Sequence, residues 1–284
     1  MKIGVSTYSL SRAMASGEMS VLDVVQWVAD QGGQHVEIVP IGFSFDDNPQ
    51  LADEIRKKAE DVGIDVSNYA IGANFINNDF AQEIERVKRH VDIANRLGVK
   101  RMRHDVAFRP PGETSVATFE QDFEKIVEAC RTIADYAASY GIVTSIENHG
   151  FYVQNSERVL RIIHAVERDN FRMTLDVGNF MCVDEPSVPA VQKCIPFASM
   201  VHLKDFYYRP SYRNPGDGWF RTTSGNYLRG AIVGQGDIDM YEVIRQIKNS
   251  GYDGYISIEF EGKEECKWGT KTALDNAIRI WNEV

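Results

Sequence analysis

Apolar and polar positions alternate along residues 141–150, Gly-Ile-Val-Thr-Ser-Ile-Glu-Asn-His-Gly, and a period of two predicts a β-strand. That strand places Val143, Ser145, Glu147 and His149 on one face and Ile142, Thr144 and Ile146 on the other. The aliphatic face suits packing under helices. The opposite face ends in a carboxylate and an imidazole roughly 7 Å apart. Three later apolar runs, at 173–178, 200–205 and 255–260, repeat the design and carry Asp176, His202 and Glu259. Leu175, Val201 and Ile258 precede these residues as Ile146 precedes Glu147. One carboxylate in an apolar run is usually a strand end meeting water. Four polar residues in phase, each near the carboxyl end of its strand, point to a shared cluster.

The remaining pattern alternates strand with helix. Strands are expected at 3–8, 35–39, 64–70 and 98–104, with helices between them. A helix opening at Ser20-Val-Leu-Asp has a capping-box pattern and apolar positions Val21, Val24, Val25 and Val28. Gly32-Gly33 and Gly63 mark helix ends. Further helices are expected at 51–62, up to Leu97, and at 118–140, 156–168, 240–250 and 270–281. The helix after Asp176 is interrupted by Pro186, Pro189 and Pro196. Eight strands alternating with helices, without a domain-like linker, predict a single (β/α)8 TIM barrel in the α/β class, one catalytic domain over 1–284. A doubly wound sheet is the alternative, but no GxGxxG follows a strand. The segment 206–237 reads as the longest irregular stretch, too long for a passive connection. It is expected to be a lid or an oligomer contact.

Composition narrows the partners. The 284 residues are 43% hydrophobic and 25% charged, ordinary values for a globular protein. A net charge of −10 argues against a nucleic-acid partner. The four cysteines (Cys130, Cys182, Cys194, Cys266) show no CxxC spacing and read as reduced thiols of a cytoplasmic protein. The chain opens directly on a strand-like Met1-Lys-Ile-Gly-Val, so no signal peptide is expected, and no apolar run reaches membrane length.

Val36-Glu37, Ser145-Ile-Glu-Asn148, Leu175-Asp176, Val201-His-Leu-Lys-Asp205, Gly234-Gln-Gly-Asp237 and Gly251-Tyr-Asp-Gly-Tyr-Ile-Ser-Ile-Glu259 together resemble the xylose-isomerase-like barrel superfamily. This is the sugar phosphate isomerase/epimerase group that includes D-tagatose 3-epimerase and inosose dehydratase. The resemblance implies that Glu147, Asp176, His202 and Glu259 hold one divalent metal, with Mn²⁺ favoured and Mg²⁺ or Co²⁺ able to substitute. A metal chelating a ketone oxygen and its neighbouring hydroxyl acidifies the adjacent C–H bond; a side chain takes that proton, and the ion stabilises the enediolate that forms. The implied activity is therefore that of a metal-dependent sugar isomerase or epimerase acting on a keto-sugar. Tyr227-Leu-Arg-Gly-Ala-Ile-Val-Gly-Gln-Gly236, with Glu147-Asn-His149 and Glu259-Phe-Glu-Gly262, is similar to the branch acting on 3-keto-glycosides. There the same proton abstraction leads to epimerisation or to β-elimination, as in the lyase subunits that cleave C-glycosides. The resemblance also implies a homo-oligomer and leaves room for a small accessory subunit.

Two departures stand out. Asn179 occupies the position where the epimerases usually place a histidine, three residues after the metal aspartate. It remains able to hydrogen-bond a sugar hydroxyl. Arg209, Arg213, Arg221 and Arg229 compete for the arginine those enzymes use after the metal histidine, and Arg229 is taken as the candidate. Among catalytic candidates, Glu147 and Glu259 are the carboxylate bases. His149 is either a proton-transfer residue or a loop histidine with a structural hydrogen bond. Lys204, in phase with His202, either neutralises an oxyanion or pairs with Asp205 or Glu37. Glu37 either orients a ligand or holds Lys204, and His104 either reaches the substrate or merely ends its strand. His35, His90 and His164 are expected to carry no chemistry. The aromatic segment with Phe206, Tyr207, Tyr208, Trp219 and Phe220 either stacks on a ligand or packs. Other functions on the same fold fit less well. A nuclease of the apurinic type needs a multinuclear zinc site and a basic groove, which six histidines and the acidic balance oppose. A sugar-sensing or partner subunit that retains the metal without turnover stays open as an alternative, which four intact ligands make the weaker reading.

Overall fold

The computed structural model describes residues 1–110 and 112–284. Eight parallel strands close a barrel: β1 (Lys2–Ser6), β2 (His35–Ile38), β3 (Asp65–Ile71), β4 (Arg101–His104), β5 (Val143–Glu147), β6 (Phe171–Asp176), β7 (Ala198–Leu203) and β11 (Tyr255–Ile258). Neighbours around the barrel follow chain order, and β11 closes it on β1 with Val5 opposite Ile258. Helices cross over between successive strands. Their aliphatic stripes and the outward strand residues, including Ile146, Leu175, Val201 and Ile258, form one continuous buried layer. This burial of apolar surface dominates the fold's stabilisation.

Local signals act as the sequence predicts. Ser20 and Asp23 form a reciprocal capping box at the head of the helix Val21–Asp30. Gly63 ends Leu51–Val62 in the left-handed conformation. The long helix runs Val116–Ala138, capped by Ser115, two residues earlier than its apolar spacing suggested. No helix among the described residues is long and apolar enough to cross a membrane.

The segment 206–237, expected to be irregular, is in part a sheet. Three antiparallel strands, β8 (Asp205–Arg209), β9 (Phe220–Arg221) and β10 (Tyr227–Ala231), form a small separate sheet in the order β8-β10-β9. Buried Asp205 pins its base. That carboxylate accepts backbone N–H bonds from Phe206, Gly234, Gly236 and Ile238 at 2.8–3.4 Å. A Cβ on Gly236 would meet Asp205 Oδ1 at 2.2 Å, so only glycine allows this approach.

A candidate metal centre at the carboxyl ends of the strands

Four adjacent strands, β5, β6, β7 and β11, deliver the in-phase polar residues to one point. Glu147 and Asp176 are the last residues of β5 and β6, His202 sits near the end of β7, and Glu259 directly follows β11. Strand register places Asp176 beside His202 and Ser257 beside His202. One ligand atom from each of Glu147, Asp176, His202 and Glu259 lies within 4.8 Å of the others, and all four residues are buried. His202 Nδ1 is 3.8, 3.9 and 3.7 Å from the carboxylate oxygens of Glu147, Asp176 and Glu259.

The donor set fits a divalent ion. Asp176 Oδ1 accepts the backbone N–H groups of Gly178 and Asn179, both at 2.8 Å, while Oδ2 is buried without a hydrogen bond. His202 Nδ1 is likewise buried and unbonded, whereas Nε2 lies 2.9 Å from the Glu37 carboxylate. Two buried ligand atoms without hydrogen bonds therefore face one centre, an arrangement that costs free energy unless something binds both. Glu37 behind the histidine fixes the ring and its tautomer, as outer carboxylates do at metal sites. Three carboxylate oxygens and one imidazole nitrogen suit Mn²⁺, Mg²⁺, Co²⁺ or Zn²⁺.

Buried countercharges balance the acids. Lys204 Nζ lies 2.7 Å from Glu259, 3.3 Å from Asp176 and 3.4 Å from Glu261, and donates to Asn179 Oδ1 at 3.2 Å. Burial works against ionised Glu259, yet Lys204 outweighs it and holds this carboxyl well below the usual range. Burial would also lower His202, but Glu37 foremost and Glu259 behind it raise the imidazole to about 10. Arg103 Nη2 bridges Glu147 at 2.8 Å and Asp105 at 3.0 Å. Asn179 Nδ2 donates to the other Glu147 oxygen at 2.9 Å. Both oxygens of Glu147 are thus engaged.

A cavity of about 780 Å³ opens over this cluster. Glu147, His149, Asn179, His202, Lys204 and Glu259 all line it. His149 donates or accepts through Nδ1 to Asp105 Oδ1 at 3.2 Å, with 47% of its side chain exposed. Its own burial lowers its basicity, but Asp105 outweighs this and raises it above the ordinary imidazole value.

Other candidates fall elsewhere. Glu37 is fully buried behind His202, bonded to it and to Asn68 Nδ2 at 2.7 Å, and does not line the cavity. It orients a histidine rather than a substrate. Lys204 pairs with Glu259 and Asp176, not with Asp205 or Glu37. His104 points away from the cavity and packs between Phe75 and Phe171, with ring centroids at 5.9 and 6.3 Å. Strand alternation explains this, because inward Arg103 forces its neighbour outward. Arg229 stacks on Tyr207 and Trp219 at 4.8 and 5.3 Å, away from the cavity. The arginine of this segment that lines the cavity is Arg221. Residues not singled out from sequence are Arg103, Asp105, Tyr8 and Glu261. Arg103 and Glu261 had usable signals in the alternation of Met102-Arg-His104 and Glu259-Phe-Glu261, whereas Tyr8 and Asp105 depend on geometry beyond the strands.

His104 supplies a test of the surrounding layer. Burial lowers its imidazole to about 4, as it does for His35. Between pH ~6.5 and ~4 only the unfolded chain protonates such a group, so stability falls as pH drops through that window, by on the order of 3 kcal/mol per residue. His104→Phe keeps a ring between Phe75 and Phe171 and also removes the unbonded Nε2. Urea unfolding is expected to place the variant within about 1 kcal/mol of the parent at pH 7 and to show it gaining roughly 2–3 kcal/mol on the parent at pH 4.5. An equal difference at both pH values would mean the ring is not held neutral.

Comparisons with known proteins follow the same geometry. A model of the xylose isomerase-like TIM barrel family matches residues 25–283. The inosose dehydratase of Yersinia enterocolitica is 21% identical over 271 residues, covering 79% of this chain and 89% of its own. A probable 3-DHS dehydratase from Bacillus anthracis superposes with a TM-score of 0.76 at 18% identity, covering 97% of this chain and 98% of that one. The IOLI protein, whose structure holds a zinc atom, gives a TM-score of 0.74 at 20% identity over 100% of this chain and 99% of its own.

Proposed function

The chain belongs to the xylose isomerase-like TIM barrel family, and we propose that it is a divalent-metal-dependent enzyme that removes the proton next to the carbonyl of a keto-sugar, with elimination of a β-substituent as the favoured outcome. Glu147, Asp176, His202 and Glu259 would hold the ion. Once bound, the ion polarises the substrate carbonyl and stabilises negative charge on its oxygen. Zinc in the similar IOLI structure and the mixed carboxylate–imidazole set both support a divalent ion.

The pairing of the bases carries the choice of reaction. Epimerisation by two carboxylates needs both free to exchange protons on opposite faces. Here Glu147 is engaged by Arg103 and Asn179, and Glu259 by Lys204. His149 is the unencumbered base: Asp105 holds Nδ1, and Nε2 bears no hydrogen bond among the described residues. His149 takes the carbon-bound proton. The C–H electrons form the new C=C bond, and the β C–O bond breaks with its electron pair leaving on oxygen. The Lys204 ammonium, which lines the cavity, would protonate that oxygen, and water or an alcohol departs. Relatives whose name, inosose dehydratase, denotes loss of water support the elimination reading.

The size of the cavity favours a substrate larger than a free sugar. Granting each of a hexose's dozen or so non-hydrogen atoms the ~30 Å³ that liquid water allots an oxygen, a hexose fills less than half of about 780 Å³. Phe43, Phe151, Phe206 and Phe220 line the remainder. This supports a keto-glycoside reading, in which the departing group is an aglycone.

Proton NMR in D₂O of the Mn²⁺-loaded protein, with keto-cyclitols and keto-glucosides as substrates, tests the reaction class. Loss of water or aglycone with an olefinic product is expected. Deuterium entry with inversion and no loss would assign epimerisation instead. Inertness toward the whole panel would overturn the proposal.

A further inference from the structure

Resting on that reading, one acidic side chain in the cavity has no duty in metal binding or proton transfer. Glu261 follows Glu259 by two residues, and strand-like alternation returns it to the same side. Phe260 between them is buried, packed against the positions of Gly262 and Gly269. The Glu261 backbone is fixed by the small sheet: a Cβ on Gly230 would meet Glu261 O at 2.3 Å, so strand β10 presses directly on it. The side chain lines the cavity and keeps 36% of its surface exposed.

Its carboxylate differs from the others lining that space. Glu147 accepts from Arg103 and Asn179. Glu259 lies 2.7 Å from Lys204 and is a candidate ligand. Asp46 stands exposed at the opening. Glu261 accepts no hydrogen bond from a described residue, and its one charged neighbour is Lys204 at a loose 3.4 Å. A half-sheltered, rigidly mounted carboxylate beside the proposed leaving-group acid is thus open to a ligand's hydroxyl.

We infer that Glu261 is a specificity-determining residue: its carboxylate accepts a hydrogen bond from one substrate hydroxyl on the side of Lys204, selecting sugars that bear that hydroxyl. A hydroxyl donating to an ionised acceptor in a sheltered site forms a strong, short bond. A substrate lacking it would leave the carboxylate facing apolar carbon, which is how hydrogen-bonding sites reject deoxy analogues. The hydroxyl is read in binding and takes no part in the proton transfer.

The test uses the full-length Mn²⁺-loaded protein, a keto-glucoside it turns over, and the monodeoxy analogues of that compound. Glu261→Ala is expected to lower kcat/KM for the parent compound by about 10–100-fold, mostly through KM. For one deoxy analogue, already a poor substrate, the same substitution should change kcat/KM by less than about threefold. That coupling assigns the hydroxyl. Glu261→Gln, which retains one acceptor oxygen, should fall between the two. Metal content and melting temperature of both variants are measured alongside, since a structural loss would lower turnover of every analogue equally. An equal loss across all analogues, or no loss at all, overturns the assignment. Failure of the unmodified protein to turn over any keto-glucoside would instead count against the proposed reaction.

Discussion

Asp176→Asn is expected to give a folded barrel that retains no divalent ion and has lost turnover by about 10³-fold or more, the several kcal/mol that a Lewis acid supplies. The asymmetry of this carboxylate is the reason. Its Oδ1 caps the turn after β6 through Gly178 and Asn179, and an asparagine carbonyl oxygen can keep both bonds. Its Oδ2 faces the cluster without a hydrogen bond, with the Lys204 ammonium 3.3 Å away. Replacing that oxygen by an NH₂ group removes the lone pair an ion requires and leaves the turn intact. Burial, with Glu259 and Glu147 nearby, pushes the Asp176 carboxyl above the usual carboxylate range despite the opposing Lys204 ammonium, so the uncharged amide is tolerated there. A melting temperature at or above the parent's, with metal content near zero by elemental analysis, is the expected pair of results. Full metal occupancy in the variant would remove Asp176 from the ligand set.

His149→Ala is expected to keep the ion and lower kcat by ~10²–10⁴, the usual effect of losing one general acid or base. Its backbone position does not depend on the imidazole, because His149 N donates to Val153 O at 3.1 Å in a local bridge. The ring contacts Asp105 and the cavity but none of the candidate ligands. Elemental analysis and steady-state kinetics together separate the possibilities. Near-parent turnover would return proton transfer to Glu147 and Glu259 and remove the main argument for elimination. A fall in metal content would mean that His149 supports the centre itself.

The four-residue cluster was legible in the sequence because strand period is a geometric constraint. Once Ile146, Leu175, Val201 and Ile258 are committed to the helix-facing layer, Glu147, Asp176, His202 and Glu259 have one direction left. Barrel closure then converts direction into proximity. What the sequence did not show is what lies between elements. In the sequence His104 stays open between reaching the substrate and merely ending its strand, although its neighbour Arg103 holds the inward phase, because a histidine at a strand end draws attention by its chemistry. Asp105 reaches both Arg103 and His149 from a loop. The sheet in 206–237 pairs residues such as Phe206 and Gly230, far apart in sequence. Choosing Arg229 over Arg221 failed for the same reason, since which arginine faces the cavity depends on that unseen register.

The central claim is that a metal held by these four residues makes a carbon-bound proton labile. Release of deuterium to water from a keto-glucoside deuterated next to its carbonyl reads that event whether elimination or epimerisation follows. The account predicts rapid release by the Mn²⁺-loaded protein, background release after chelation, and recovery when Mn²⁺ is restored. Equal release before and after chelation, with the metal shown to be gone, would contradict it.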